Sequence, residues 1–383
     1  MKIGVDISDL SSDRADGTTR YTFELALRLP QIGRQYEWFY FAPSDSARIQ
    51  SAVAARENVN LRVSPWPKYW TQLRLPLELY QDQLDALFMP IQQLPYLRPG
   101  KMKTVAVIHD LAVHLFPAQF TRKDWLLLHV FSAQAARQAD ALVCVSQATA
   151  DDVQRFYGRR RNVHVVYHGV DHKRFRVPRD EERTAARTRL VDKYPQLAAP
   201  YILFVGQLQP RKNIARLVKA FELMASTEGD LKLVIAGGHG WMQQPILRRV
   251  ASSPERARIH LIGRVADDQL PALYWGAEVF VLPSLYEGFG MPVLEAFASG
   301  CPVVVSNVSS LPEVARLHQG CGGQANYAAV LVDPYRAEDI ARGIQEALGQ
   351  RAVWRERGVQ RAAQFSWDTT ARETLRIIES TCL

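Results

Sequence analysis

Short runs of apolar, β-branched residues, each followed by a longer amphipathic stretch, constrain this chain more than any other feature of its sequence. Seven such runs, at 2–7, 38–41, 60–63, 86–89, 104–108, 141–145 and 163–167, precede a polar junction, and six more, at 201–205, 231–236, 259–262, 279–282, 303–306 and 330–332, follow it. Strands without a polar face are those buried on both sides, as in parallel sheets whose crossovers are helices. The pattern predicts an α/β chain with two doubly wound parallel sheets. The charged segment from Arg176 to Pro200, containing Pro178 and Pro195, is the natural junction, with a first domain over 1–185 and a second over 195–364. A chain of 383 residues, 47% of them hydrophobic, is long enough for two cores.

In such sheets, ligands sit beyond the carboxyl ends of the strands. The run 279–282 leads into Glu287-Gly288-Phe289-Gly290-Met291-Pro292-Val293-Leu294-Glu295, a glycine turn between two carboxylates. Pro292 suits the first turn of a helix, where its missing N–H would be unpaired anyway. The N–H groups of a helix start favour an anionic oxygen, and carboxylates accept hydrogen bonds from sugar hydroxyls. Phosphate and sugar together point to a nucleotide sugar.

The spacing of Glu287 and Glu295 resembles that of the retaining glycosyltransferases of family four (glycosyl transferases group 1), and among them the bacterial mannosyltransferases of polysaccharide assembly. The likeness extends to Phe204-Val205-Gly206-Gln207-Leu208-Gln209-Pro210-Arg211-Lys212-Asn213, Gly300-Cys301-Pro302-Val303-Val304 and Ser309-Ser310-Leu311-Pro312-Glu313. It is dense from about 200 to 333 and thinner from 1 to 175. The resemblance implies a GT-B fold, two Rossmann-like domains facing across a cleft, with a last helix over 365–383 crossing back to the first domain. It implies sugar transfer with retention, a contact of Glu287 with the transferred sugar, and a contact of Glu295 with the ribose. Arg211 and Lys212 would stabilise the departing diphosphate. Gly206, Gly288, Phe289 and Gly290 complete the donor-binding set, together with Val265 in Gly263-Arg264-Val265, where relatives bind the base through backbone groups.

In the first domain, Gly17-Thr18-Thr19-Arg20-Tyr21 is similar to the family's phosphate-facing glycine loop, although Asp16 precedes a single glycine here. His109 of His109-Asp110 matches a histidine that the family places beside the reacting sugar, where the imidazole would donate to a hydroxyl or orient the reacting groups. Ser146-Gln147-Ala148-Thr149 and His168-Gly169-Val170-Asp171 fill two further motif positions. They read equally well as a helix cap and a glycine turn.

No cofactor and no metal are expected: there is no D-x-D or H-E-x-x-H spacing, so Arg211, Lys212 and helix N-termini would carry the neutralising charge. Four dispersed cysteines, Cys144, Cys301, Cys321 and Cys382, indicate neither a disulfide framework nor a zinc site and suit a reduced cytoplasmic setting. Neither a secretion signal nor a run of eighteen apolar residues is visible. The net charge of +8 fits an anionic partner, a membrane's inner face included.

The resemblance to bacterial mannosyltransferases favours GDP-mannose as the donor, with UDP- and dTDP-sugars using the same contacts, and as acceptor a hydroxyl of a glycan or of a polyprenyl-diphosphate-linked sugar. Trp66-Pro67-Lys68-Tyr69-Trp70 with Arg74, and Arg159-Arg160-Arg161, mix aromatic and basic character on the acceptor side. Three rival readings stay open. A sugar-nucleotide epimerase would share the architecture, and a basic polyanion-binding protein would share the charge. A dehydrogenase would want G-x-G-x-x-G after the first strand, where Asp9-Leu10-Ser11-Ser12-Asp13 stands, and Gly237-Gly238-His239-Gly240 does not supply it. No nucleic-acid partner is expected.

Overall fold

The computed structural model describes residues 1–12, 16–54, 56–66, 68–225, 229–238, 240, 242–317 and 326–383. They form two compact units, Met1–Gly169 with Trp367–Leu383, and Val170–Ser366. The first unit contains β1 (Lys2–Asp6), β2 (Glu37–Ala42), β3 (Val59–Val63), β4 (Ala86–Met89), β5 (Lys103–Ile108), β6 (Ala141–Cys144) and β7 (Val163–Val165). They pair in the order β3-β2-β1-β4-β5-β6-β7, every pair parallel. The second contains β8 (Tyr201–Val205), β9 (Lys232–Ala236), β10 (Ile259–Gly263), β11 (Val279–Leu282), β12 (Val303–Ser306) and β13 (Val330–Val332). Their order is β10-β9-β8-β11-β12-β13, again all parallel. The central strands β4, β6, β11 and β12 are buried at every residue, which is why they read as unbroken apolar runs.

Each sheet reverses its winding direction once, between β1 and β4 in the first and between β8 and β11 in the second. At such a switch point the loops leaving neighbouring strands turn to opposite sides and leave a crevice at the strands' carboxyl ends. The loops following β8 and β11 are those that carry Arg211-Lys212 and Glu287.

The division between units falls at Gly169/Val170, not between 185 and 195. The helix Asp180–Lys193 is tied to the second unit: Lys193 Nζ donates to Gln269 Oε1 (2.9 Å), and the preceding Arg176 carbonyl accepts from Trp275 Nε1 (2.7 Å). At the other end, the helix Trp367–Cys382 packs in the first unit. It buries Trp367, Ala371, Leu375 and Ile378 at helical spacing. Arg28 Nε meets Asp368 Oδ1 at 2.7 Å, and Tyr36 donates to Glu379 Oε1 at 2.7 Å. Among the described residues, no helix is long and apolar enough to cross a membrane.

At the carboxyl end of β8 the backbone approaches its neighbour closely. Gly206 N–H donates to the Ala236 carbonyl (2.9 Å), and a Cβ on Gly237 would lie 1.8 Å from the Gly206 carbonyl oxygen. No side-chain movement relieves a clash with backbone. Gly237→Ala is therefore expected to destabilise the second unit by about 3 kcal/mol, the upper end of overpacking costs, as read by urea denaturation.

Candidate active site

The chain leaving β8 turns through Gly206 into a single 3₁₀ turn, Pro210–Lys212, and then into Asn213 at φ 61°. A left-handed φ is uncommon outside glycine, and asparagine tolerates it best. Asn213 is buried, and its Nδ2 donates to the Pro283 carbonyl (2.9 Å) and to the Pro334 carbonyl (2.7 Å). One side chain thus joins the loops following β8, β11 and β13. The Arg211 carbonyl accepts from Leu285 N–H at 2.8 Å, a second tie between the first two.

That docking brings three charged side chains together. Glu287, 6% exposed, accepts from Lys212 Nζ at Oε1 (2.6 Å) and from Arg211 Nη1 at Oε2 (3.3 Å). Ser284 Oγ also donates to Oε1 (2.7 Å), while Arg211 reaches the Tyr286 carbonyl (3.1 Å) and Gln209 Oε1 (3.2 Å). Burial pushes the Glu287 carboxyl up. The charges of Lys212 and Arg211, with the hydrogen bonds from Lys212 and Ser284, outweigh that and hold it below its ordinary value. Two cations against one carboxylate leave the cluster with one net positive charge, largely shielded from water.

The glycine turn is fixed from behind. Ser309, itself at φ 58°, donates to the Glu287 carbonyl (2.6 Å), and Ser310 donates to the carbonyls of Glu287 (2.9 Å) and Phe289 (3.0 Å). Gly290 stands at φ 100°, where a Cβ would meet Leu311 at 2.7 Å, and caps the helix Met291–Ala298 with Pro292 in its first turn. Glu295 projects from that helix and accepts from the phenol of the buried Tyr274 (3.0 Å). Burial first, and the Glu295 charge second, raise the Tyr274 hydroxyl far above its ordinary value, so it stays a donor. Val265 is buried just beyond β10 and Gly263, which has φ 69°.

In the first unit, Gly17 is the first residue of the helix Gly17–Ile32. The helix start is occupied by the chain's own carboxylate: Asp16 Oδ1 accepts from Thr19 N–H (2.9 Å) and Thr19 Oγ1 (3.0 Å). Tyr21 of this helix stands edge-on to His109, with ring centroids 5.0 Å apart. His109 follows β5, and its Nε2 lies 2.7 Å from the Pro90 carbonyl after β4. A carbonyl only accepts, so Nε2 carries the proton. Burial lowers the His109 pKa, leaving a neutral ring whose Nδ1 is an acceptor. In this arrangement the ring's one N–H is bound to the Pro90 carbonyl.

The structure joins Arg211, Lys212 and Glu287 directly, holds Gly288, Phe289 and Gly290 in the same loop, and places Glu295 on the helix that follows. Sequence reasoning assigned no role to Asn213, Ser284 or Tyr274. Only Asn213 carried a signal, as a helix-start residue directly after two cations. Ser146 caps the helix Gln147–Tyr157 through Thr149 N–H (3.0 Å), and His168 is buried, stacked 5.6 Å from Trp367. Among the aromatic and basic segments of the first unit, Arg159 closes the end of the helix Arg122–Gln138 through the carbonyls of Ala136 (2.9 Å) and Ala139 (2.7 Å). Trp70 is buried against Asp6 Oδ1 (3.3 Å), Arg74 pairs with Glu78 (2.5 Å), and Trp66 and Tyr69 are exposed. Cys144 and Cys301 are buried thiols and Cys382 is half-buried. Pro67, His239, Trp241, Asp13 and Cys321 lie outside the described residues. No group of three or more metal-ligating side chains occurs among those described.

Two parallel-sheet units, each reversing its winding once, with a basic turn and a carboxylate–glycine turn at the second switch point, have the GT-B fold. The chain belongs to the group 1, family 4 glycosyltransferases: residues 15–174 match Glycosyltransferase Family 4 and residues 191–364 match Glycosyl transferases group 1. It is 30% identical over 73% of its length to O-antigen chain mannosyltransferase B of Escherichia coli, covering 71% of that protein. It is 29% identical over 85% of its length to the serotype-specific mannosyltransferase WbdA of the same organism, of whose length it spans 38%. HepE of Anabaena, solved in complex with UDP and glucose, superposes with a TM-score of 0.73 at 18% identity, covering 99% of this chain and 100% of that one, and shares the fold.

Two predictions follow from this geometry. Asn213→Ala removes both carbonyl contacts and strains the left-handed backbone, so a loss of about 2–3 kcal/mol in stability is expected by denaturation. Asn213→Gly, which relieves φ but not the lost bonds, should recover part of it. Four histidines of the first unit, His109, His114, His164 and His168, have pKa values lowered by burial. Unfolding raises each toward about 6.5, so the unfolded chain binds more protons and stability falls as pH drops below about 6.5. Glu287, lowered in the fold, adds a loss of the same sign only below about 4.5, through the ordinary carboxylate range. Thermal melts from pH 7.5 to 4 should show the histidine phase first. His109→Gln and His168→Gln should shrink it.

Proposed function

We propose that this chain transfers mannose, with retention of anomeric configuration and without a metal ion, from GDP-mannose to a hydroxyl of a glycan or polyprenyl-diphosphate-linked acceptor in surface-polysaccharide synthesis. The observation that carries the reading is the Lys212–Glu287–Arg211 cluster at the switch point of the second sheet. The mannosyltransferase names of the relatives support the choice of sugar.

In the proposed reaction the bond from the sugar's anomeric carbon to the diphosphate oxygen breaks, and the bond to the acceptor oxygen forms on the same face. The acceptor proton passes to the departing diphosphate. Charge grows on that diphosphate, and Arg211 and Lys212, fixed in advance by Glu287, meet it without reorganising. Such preorganised cations are assigned the neutralising part that a divalent metal plays elsewhere. Glu287 touches the transferred sugar, Glu295 accepts from the ribose hydroxyls while Tyr274 holds its carboxylate, and Val265 lies at the base. Gly17, Gly206, Gly288, Phe289 and Gly290 keep backbone close to the donor. His109 accepts a sugar hydroxyl at Nδ1. The protein works in the cytoplasm, on acceptors at the inner membrane face.

A donor panel of GDP-mannose, UDP-glucose, UDP-N-acetylglucosamine and dTDP-rhamnose, run in excess chelator, tests this. Transfer from GDP-mannose with an α-linked product by NMR is expected. Lys212→Ala and Arg211→Ala should each lower kcat about 10²–10³-fold. Loss of all activity in chelator would overturn metal independence, transfer only from another sugar would overturn the donor, and near-normal turnover in both variants would overturn the site.

A further inference from the structure

At the opposite end of the second sheet, where β8, β11 and β12 begin, lies a cavity of about 420 Å³. Tyr201, the first residue of β8, Glu278, just before β11, and Pro302, just before β12, form its floor. One wall is the helix Asp180–Lys193, which contributes Arg183 and Arg187. The other is the helix Arg351–Ala362, which contributes Arg351 and Arg355. The i, i+4 spacing within each pair sets both arginines on one helix face, an arrangement that is unfavourable for like charges by itself.

Four arginines and one carboxylate, Glu278, line this space, a formal charge of +3. Arg351 is paired with Glu278, and Arg187 donates to the Ala198 carbonyl (2.7 Å). Among the described residues, Arg183 and Arg355 form no ion pair, and the Arg183 Nε is buried without a hydrogen-bond partner. The Gly300 turn, at φ 70°, brings its backbone against Arg355, such that a Cβ there would lie 3.1 Å from Nε. Burial, and then the charge of Arg183, lower the Arg355 pKa, with Asp180 acting in the opposite direction. Guanidinium groups crowded this way are matched by a bidentate oxyanion. Leu190, Leu197, Trp275 and Ala272 supply an apolar flank, and the volume falls in the range of about 300–1,000 Å³ typical of organic ligands.

We propose that this cavity binds a small organic phosphate, its phosphate between Arg183 and Arg355 and its carbon skeleton against Leu190 and Trp275. The site is separate from the Arg211–Lys212 cluster, which lies at the other end of the same strands. It therefore takes a phosphorylated compound as a ligand and not as a substrate.

The test is calorimetric titration of the full chain at 0.15 M salt with mannose 1-phosphate, GDP and inorganic phosphate. The background is Arg211→Ala/Lys212→Ala, which silences the donor end. Saturable binding of at least one organic phosphate is expected, with inorganic phosphate at least tenfold weaker because it leaves the apolar flank unfilled. Ala352→Glu, at an exposed position on the rim, adds a carboxylate without removing packing and should weaken binding at least tenfold, as should Arg183→Gln/Arg355→Gln. The melting temperature reports that both variants are folded. No saturable binding of any of the three, binding of inorganic phosphate as tight as the organic compounds, or binding unchanged by Ala352→Glu would overturn the proposal.

Discussion

The buried carboxylate of Glu287 is the group on which the second unit's strand-end architecture turns. Placing Lys212 and Arg211 out of water beside one another would be prohibitive without it, since each desolvated ion costs several kcal/mol and the two repel. With Glu287 between them, both cations are held by hydrogen bonds of 2.6 and 3.3 Å. The ion pair is not an efficient source of stability, because a well-packed apolar replacement often does as well. What it provides is position: two positive charges fixed at the crevice where the winding of the sheet reverses.

That fixed position depends on backbone restraints drawn from other strands. Asn213 adopts a left-handed conformation so that its amide can reach two carbonyls, one after β11 and one after β13. Ser309 and Ser310, in the loop after β12, hold the carbonyl of Glu287 itself. Loops following four strands thus converge on a single residue and its immediate neighbours. Polar groups of this kind are fully engaged within the protein, so the loop does not have to be reorganised by a ligand.

Much of this was legible in the sequence, for identifiable reasons. Strands buried on both faces leave unbroken apolar runs, and β4, β8, β11, β12 and β13 begin and end where those runs do. Gly290 and Pro292 carried the strand–turn–helix step because their backbone demands are specific. The junction was less legible: proline and charge marked 176–200, but the packing of Asp180–Lys193 on the second unit depends on Trp275 and Gln269, far away in the chain. Tyr274 and Ser284 were invisible for the same reason, since a hydrogen bond to a carboxylate leaves no periodicity. The protonated nitrogen of His109 was also beyond reach, because it is set by a carbonyl, Pro90, that only the adjacency of β4 and β5 brings near.

The two ends of the second sheet show how charge is handled under different demands. At the carboxyl end, two cations share one buried carboxylate, and the net charge that remains is small and well placed. At the amino end, Arg351 has Glu278, but Arg183 and Arg355, which line the same cavity, form no ion pair among the described residues. Arginine cannot relieve such crowding by losing its proton at any physiological pH. The remaining routes are solvent, which a half-buried guanidinium reaches only in part, and an anion from outside. The imbalance of charge in the cavity is therefore the physical argument for a ligand that supplies the missing negative charge.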